Sequence, residues 1–257
     1  MRKLLAGLGI AVFIGACAGG AIPGLMMTAP AAVTATSPHI LAALADPRRP
    51  EADRERDALR HPAEIMAFAG VQPGWRVADI GPGGGYYTRL FSVAAGGEGR
   101  VYGVDRAGTA ERPRPLSAFA AEYGNIAHLT DGYANWTISE PLDAIFVSQI
   151  YHDFYLPQLS IDVPALNRKM YDALKPGGVL IIIDHAATAG SDVSVTGTLH
   201  RIDQAQVIRD LTAVGFVMEE ESPALRNGAD DRSVRVFEGD IRGRTDQFTL
   251  RFRKPAN

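Results

Sequence analysis

A short strand that runs without interruption into a glycine cluster constrains this chain more than any other feature. Trp75-Arg76-Val77-Ala78-Asp79-Ile80 has the length and apolar content of a strand. Gly81-Pro82-Gly83-Gly84-Gly85 follows at once, and residues 86–95 resume as a helix. Glycines at such a junction let the backbone turn sharply and let a ligand come close to the main chain. Strand, glycine loop and helix in that order form half of a βαβ unit, which calls for a parallel sheet with helices on its faces.

The rest of the chain repeats this alternation. Arg100-Val101-Tyr102-Gly103-Val104-Asp105 reads as a second strand ending on an acid, and residues 126–130 as a third, ending at Asp131. Residues 142–148 form a nearly continuous apolar run, the pattern of a strand buried on both faces. A helix over 158–174 leads through the turn Lys175-Pro176-Gly177-Gly178 to residues 179–183, the most apolar strand, which ends at Asp184-His185. Asp203 and Gln206 have capping-box spacing before a helix that stops near Gly215. Phe216 opens a further strand, and residues 248–252 alternate as the last one. The expected fold is α/β: a doubly wound, mostly parallel seven-stranded sheet, Rossmann-like, with an antiparallel final strand. Ligands in such sheets bind beyond the carboxyl ends of the strands, where the strand order reverses. Polar residues stand at those ends: Asp79, Asp105, Asp131, Ser148, and Asp184 with His185.

The chain has 257 residues and a net charge of −3, which gives no electrostatic case for nucleic acid as a partner. Its single cysteine, Cys17, allows neither an internal disulfide nor a cysteine-based zinc site. Arg2 and Lys3 precede an uncharged stretch over 4–27, the layout of an export signal, so residues 1–27 are assigned as signal peptide or lipoprotein signal. Ile14-Gly15-Ala16-Cys17 resembles a bacterial lipobox, in which the cysteine carries the lipid. That reading makes Cys17 the point of membrane attachment and the protein periplasmic. Cleavage after Ala35 and an uncleaved anchor are the alternatives. Residues 28–49 are expected to be a tether rich in Ala, Pro and Thr, and residues 50–257 the folded domain.

The acid before the glycine loop decides what the loop can hold. A dinucleotide fingerprint starting at Gly81 would need a small residue where Tyr86 stands, and a carboxylate is a poor neighbour for pyrophosphate. It suits a cationic ligand without phosphate. On these residues the sequence resembles the class I S-adenosylmethionine-dependent methyltransferase superfamily over roughly residues 60–220. The resemblance implies S-adenosylmethionine as cofactor, bound by Asp79, Gly81, Gly83 and Gly85 of the glycine motif. It further implies Asp105 on the ribose hydroxyls, Asp131 near the adenine amine, and Ser148 at the end of the fourth-strand motif. Residues 174–178 match the turn before the fifth strand. More narrowly, the charged stretch from Asp53 to Asp57, Leu199-His200-Arg201, Asp231-Arg232 and the Arg251-Phe252-Arg253-Lys254 end resemble a bacterial group of exported methyltransferases of unassigned substrate.

His152 and His185 follow neighbouring strands at the expected catalytic edge. The long loop over 186–202 brings in His200 and Arg201. His152, His185 and His200 are therefore the catalytic candidates, expected on one concave surface with Asp79 and Gly83. Asp153, Asp184 and Arg201 are the substrate-orienting candidates. These histidines and acids are suitable metal ligands, but no known ligand spacing joins them, so no metal is expected. The absence of G-x-S-x-G argues against a serine hydrolase. The expected reaction is methyl transfer to a small-molecule or lipid-like acceptor. The competing reading is a non-catalytic binding protein that keeps the fold, motivated by export away from the compartment where the cofactor is made.

Overall fold

A computed structural model describes residues 36–106 and 115–256. The signal, the lipobox with Cys17 and the alternative cleavage site at Ala35 lie outside the described residues. The compact unit begins at Thr36, earlier than expected. Residues assigned to the tether form helix α1 (Pro38–Ala45), with proline in its first turn and Ile40 and Ala43 buried against the domain. The tether is thus corrected to end before Pro38. Its alanines, read as linker composition, are also the strongest helix formers once an apolar face is available.

Two short helices, α2 (Glu51–Arg54) and α3 (Asp57–Arg60), span the charged stretch that follows. Helix α4 (Pro62–Ala69) then ends on Gly70 at φ 71°, a left-handed cap. Strand β1 (Arg76–Ile80), helix α5 (Tyr86–Ala95) and strand β2 (Arg100–Val104) form the first βαβ unit. Helix α6 (Leu116–Tyr123), β3 (Ile126–Leu129), β4 (Leu142–Ser148), α7 (Val163–Ala173) and β5 (Leu174–His185) complete the parallel part. Beyond it come α8 (Val195–Leu199), α9 (Gln204–Ala213), β6 (Val217–Ser222) and β7 (Gln247–Arg253).

The seven strands run in the order β3-β2-β1-β4-β5-β7-β6. Every neighbouring pair is parallel except the two made by β7, which is antiparallel to β5 and to the edge strand β6. Alternate side chains feed two cores. Val77, Phe146 and Ile181 pack under α1, α4 and α5, whereas Ala78, Ile145, Leu180 and Ile182 pack under α7 and α9. With both faces covered, β4 and β5 must be apolar at nearly every position. The order reverses between β1 and β4, so the crevice at their carboxyl ends is the natural ligand position.

Two local expectations differ in detail. The turn over 174–178 is incorporated in β5, whose pairing with β4 starts at Leu142↔Leu174 and shifts register before Ala144↔Val179. Asp203 caps α9 by accepting from Ala205 N at 3.1 Å, but Gln206 does not reach back to close the box. Its amide instead donates to Asp210 one turn on, at 2.7 Å.

Candidate active site

The glycine loop is shaped by what crosses it. Gly81 has φ +73°, and a Cβ there would lie 2.5 Å from Ile150 Cδ1, on the segment that leaves β4. Gly83 also has positive φ, +54°, yet a Cβ would meet no atom within 4 Å. Its open side faces a crevice of about 230 Å³, lined among others by Asp79, Gly81, Gly83, Gly84 and Ser148. Gly85 serves another purpose: it caps the start of α5 at φ +79°, and a side chain there would collide with Phe119. The expected cofactor residues Asp79, Gly81, Gly83 and Ser148 thus share one crevice, and Gly85 supports its floor.

Asp79 is buried, and Thr88 Oγ1 donates to its Oδ2 at 2.6 Å. Burial raises its carboxyl to about 7, against the opposing pull of the Thr88 hydroxyl and Arg60. A buried carboxylate at the mouth of a glycine loop is matched to a cationic group. Asp105 directly follows β2 one strand away, two residues beyond Gly103, which pairs with Asp79. It is buried, accepts from Arg106 N at 2.8 Å, and lies outside the crevice lining. Asp131 is exposed and is bridged to Arg106 through the backbone.

The charged stretch before α4 braces the loop. Arg89, buried on α5, donates to Asp53 Oδ2 and to Gly84 O, each at 2.8 Å. Tyr86 donates to Asp57 Oδ1 at 2.5 Å, and Arg49 pairs with the same carboxylate. Asp53 and Asp57 therefore position the loop, and α3 together with the residue just before it brings Arg60 and Arg56 to the rim of the crevice.

A second cleft of about 400 Å³ opens beside the first and shares Arg56, Arg60, Tyr87, Ser148 and Gln149 with it. The Arg60 guanidinium lies 4.7 Å from the Tyr86 ring centre and donates to Gln149 Oε1 at 3.2 Å. Gln149 directly follows β4 with φ 59°, a strained backbone for a residue with a side chain, and its own amide donates to Gln247 Oε1. The sequence reading missed Arg56, Arg60 and Gln149. Their only local signal is that Gln149 directly follows Ser148 at a strand end.

Of the three histidines only His185 lines this second cleft. Burial lowers its imidazole to about 4 despite the adjacent Asp184, so it is neutral, with Nδ1 2.7 Å from Thr245 Oγ1. His152 is buried behind it, ring centres 5.8 Å apart, with Nδ1 2.7 Å from Asp184 Oδ1. Burial disfavours the His152 cation, but Asp184 and Asp153 outweigh it and raise the imidazole to about 10. His200 stands beyond His152 at 5.4 Å, near Asp153 and Arg235. The single concave surface expected for all three with Asp79 and Gly83 is therefore corrected to a row of rings with one member on the cleft.

Two expected substrate groups are engaged inside the protein. Asp184 is fully buried and accepts from the backbone N–H of His152 at 2.8 Å and of His185 at 2.7 Å. Arg201 is also fully buried. It forms a two-pronged pair with Asp230 and donates to Ala186 O and Val234 O. No donor of Arg201 is left facing a ligand, so the expectation that it orients substrate is replaced by a clamp between two loops. Asp153 stays half-buried beside the histidine row.

Known proteins share this architecture. The structure of an S-adenosylmethionine-dependent methyltransferase from Aquifex aeolicus superposes with a TM-score of 0.55 at 20% identity, covering 78% of this chain and 93% of that one. A protein-L-isoaspartate O-methyltransferase 1 of Arabidopsis thaliana is 35% identical over 154 residues, 57% of this chain and 60% of that protein. A protein-L-isoaspartate O-methyltransferase of Triticum aestivum is 31% identical over 119 residues, 44% of this chain and 46% of that protein. The matched stretch thus spans about half the length of these curated relatives. The family model described as protein-L-isoaspartate(D-aspartate) O-methyltransferase (PCMT) matches residues 57–218, more than half of the sequence and all of the glycine-loop crevice except Arg56, and the chain belongs to that family.

Proposed function

We propose that this protein transfers the methyl group of S-adenosylmethionine to a carboxylate of a polypeptide, of the isoaspartyl kind for which its relatives are named. The observation that carries this reading is the shared wall of the two clefts, where Arg56 and Arg60 stand between the glycine loop and His185. The crevice fits the cofactor: open space over Gly83, a buried carboxylate at Asp79 for the cationic amino-acid end, and no basic phosphate cradle in the loop. When bound, the cofactor supplies an already activated sulfonium methyl. The chain's work is then alignment, with donor and acceptor held in line across the shared wall. A carboxylate acceptor is a nucleophile without a base, so a neutral His185 suffices as a hydrogen-bonding partner while Arg56 and Arg60 attract and orient the anion.

This replaces the small-molecule or lipid-like acceptor expected from the sequence. The curated relatives are named for a protein substrate, and Arg56 and Arg60 on the shared wall favour an anionic acceptor. The test is methyl ester formation on an isoaspartyl peptide, with the matching aspartyl peptide as control and S-adenosylhomocysteine calorimetry alongside. Gly83→Val should abolish nucleoside binding and turnover together, because the new side chain enters the crevice. His185→Gln should lower turnover with cofactor affinity unchanged. Nucleoside binding without esterification of any peptide carboxylate would overturn the acceptor and favour the non-catalytic reading.

We also infer export through residues 1–27 with Cys17 as a lipid anchor, supported by the lipobox-like Ile14-Gly15-Ala16-Cys17. Cys17→Ser should release the protein from the membrane fraction or leave the precursor uncleaved. Unchanged partition with normal processing would reject the anchor.

A further inference from the structure

Behind the acceptor cleft, His152, Asp153 and His200 each offer one ligand atom, and these atoms all lie within 4.8 Å of one another. We propose that they form a binding site for one divalent transition-metal ion of the zinc type, which pins the segment after β5 to the segment after β4. The ligand types are visible in the sequence but their grouping is not, since His152 and Asp153 are adjacent and His200 stands far along the chain, with no ligand spacing between them.

Three observations carry the assignment. The first is the geometry around Asp153 Oδ1, which lies 3.1 Å from His152 Nε2 and 3.4 Å from His200 Nδ1. Donor atoms around a tetrahedral ion with bonds of about 2.0–2.1 Å stand roughly 3.3 Å apart. The same oxygen is buried yet accepts no well-directed hydrogen bond. A ring N–H that donates must aim at its acceptor. Lone pairs that converge on a common point instead leave their atoms close and misaligned, which is the arrangement found.

The second observation is the support behind His152. Asp184 Oδ1 lies 2.7 Å from Nδ1, and Asp184 is itself fixed by the backbone N–H groups of His152 and His185. A carboxylate on the far nitrogen holds the proton at Nδ1 and turns the Nε2 lone pair toward the cluster, as in histidines that ligate metals. The third is the donor set. Two imidazoles and one carboxylate suit zinc and leave a fourth position for water. His200 closes α8 with φ 53°, a left-handed conformation unusual for a residue with a side chain, and this backbone presents its ring to the other two ligands.

Two features oppose the ion: the proton that Asp184 and Asp153 favour on the His152 imidazole, which ligation through Nε2 must release, and a contact made by His200. Arg235 donates to His200 Nε2 at 3.0 Å, on the exposed side of the ring. Ligation through Nδ1 puts the proton on Nε2, so Arg235 must turn away into solvent when the ion binds. His200 also touches the Phe237 ring at 4.9 Å, and Phe237 lines the acceptor cleft. The ion would therefore order one wall of that cleft without touching the reacting groups.

The test uses the full-length, tag-free chain stripped with a chelator and titrated with zinc by calorimetry and with cobalt by visible absorption. One equivalent per chain and the d–d bands of four-coordinate cobalt are expected. His200→Gln and Asp153→Asn, both short of the deep core, should weaken binding by more than the roughly 10–100-fold that loss of a supporting carboxylate costs. Arg235→Gln should tighten it by removing the competing donor. Folding of each variant is checked by its melting curve. No uptake by the unaltered chain, or uptake indifferent to His200→Gln and Asp153→Asn, overturns the site and leaves a hydrogen-bonded row from Asp184 to Arg235. None of these readouts depends on methyl transfer.

Discussion

The crevice over the glycine loop and the region after β5 are built in opposite ways. The crevice comes from consecutive residues: a strand end, a turn whose glycines adopt positive φ, and a helix start, braced by Arg89 and Asp53. The region over 186–246 has little regular structure in its loops and is held by side chains that meet across long separations. Chief among them is the fully buried Arg201 with Asp230. Backbone geometry can therefore position a ligand from a short local motif, whereas the later region depends on charge pairs that only the folded chain brings together. Changes in the crevice should act chiefly on ligand binding, with stability affected mainly through the buried Asp79; changes in the later region should act chiefly on stability.

The largest effect is expected at Asp230. Asp230→Ala strands the Arg201 guanidinium in the interior, where an uncompensated charge costs about 3–5 kcal/mol. Chemical denaturation should show that loss while S-adenosylhomocysteine affinity in the remaining folded protein stays unchanged; a stable variant with lost affinity would break the comparison.

Next in size is Asp105, which the family resemblance assigns to the ribose hydroxyls although it lies outside the crevice lining. Asp105→Ala should weaken nucleoside binding by about 1.5–3 kcal/mol, the worth of hydrogen bonds to a charged acceptor. Calorimetry at constant pH measures it, and unaltered affinity would confine the binding set to Asp79, the loop and Ser148.

Asp79 gives a pH signature. Its folded carboxyl titrates at about 7, above the ordinary 3.8, because of burial. The folded state then holds a proton that the unfolded state releases, so this group's contribution to stability is complete below pH 3.8 and is lost as pH rises through 7. Nucleoside affinity should move the other way, since the ammonium of the ligand needs the carboxylate. It is expected to fall by up to about tenfold, or 1.4 kcal/mol, per pH unit below 7. Asp79→Asn should flatten both profiles, and a pH-independent affinity in the unaltered protein would remove Asp79 from the cationic contact.

The smallest effect belongs to Asp203, which caps α9 and also accepts from Gly190 N at 3.1 Å. Asp203→Ala should cost about 1 kcal/mol in thermal or chemical unfolding. A loss several times larger would show that the 186–202 loop is anchored mainly through this one side chain.

The sequence by itself determined the sheet, its antiparallel last strand and the crevice, because each rests on local rules: apolar runs for strands buried on both faces, glycine where φ is positive, an acid beside a cationic ligand. Asp79, Gly81 and Gly83 were legible as crevice residues for that reason, and Ser148 because it stands at a strand end. Tertiary structure alone decided the rest. Helix α1 hid in linker-like composition until its Ile40 and Ala43 met the core. Arg56 and Arg60 read as surface charge until α3 and its N-cap brought them to the glycine loop. Arg201 and Asp230 stand far apart in the chain, and nothing in either residue says that they bury each other. The three histidines share one residue type and one sheet edge, yet His185 faces the cleft while His152 and His200 turn to Asp184 and Asp153. Charge pairing and burial are properties of what surrounds a side chain, and those surroundings exist only once the sheet has closed over both of its cores.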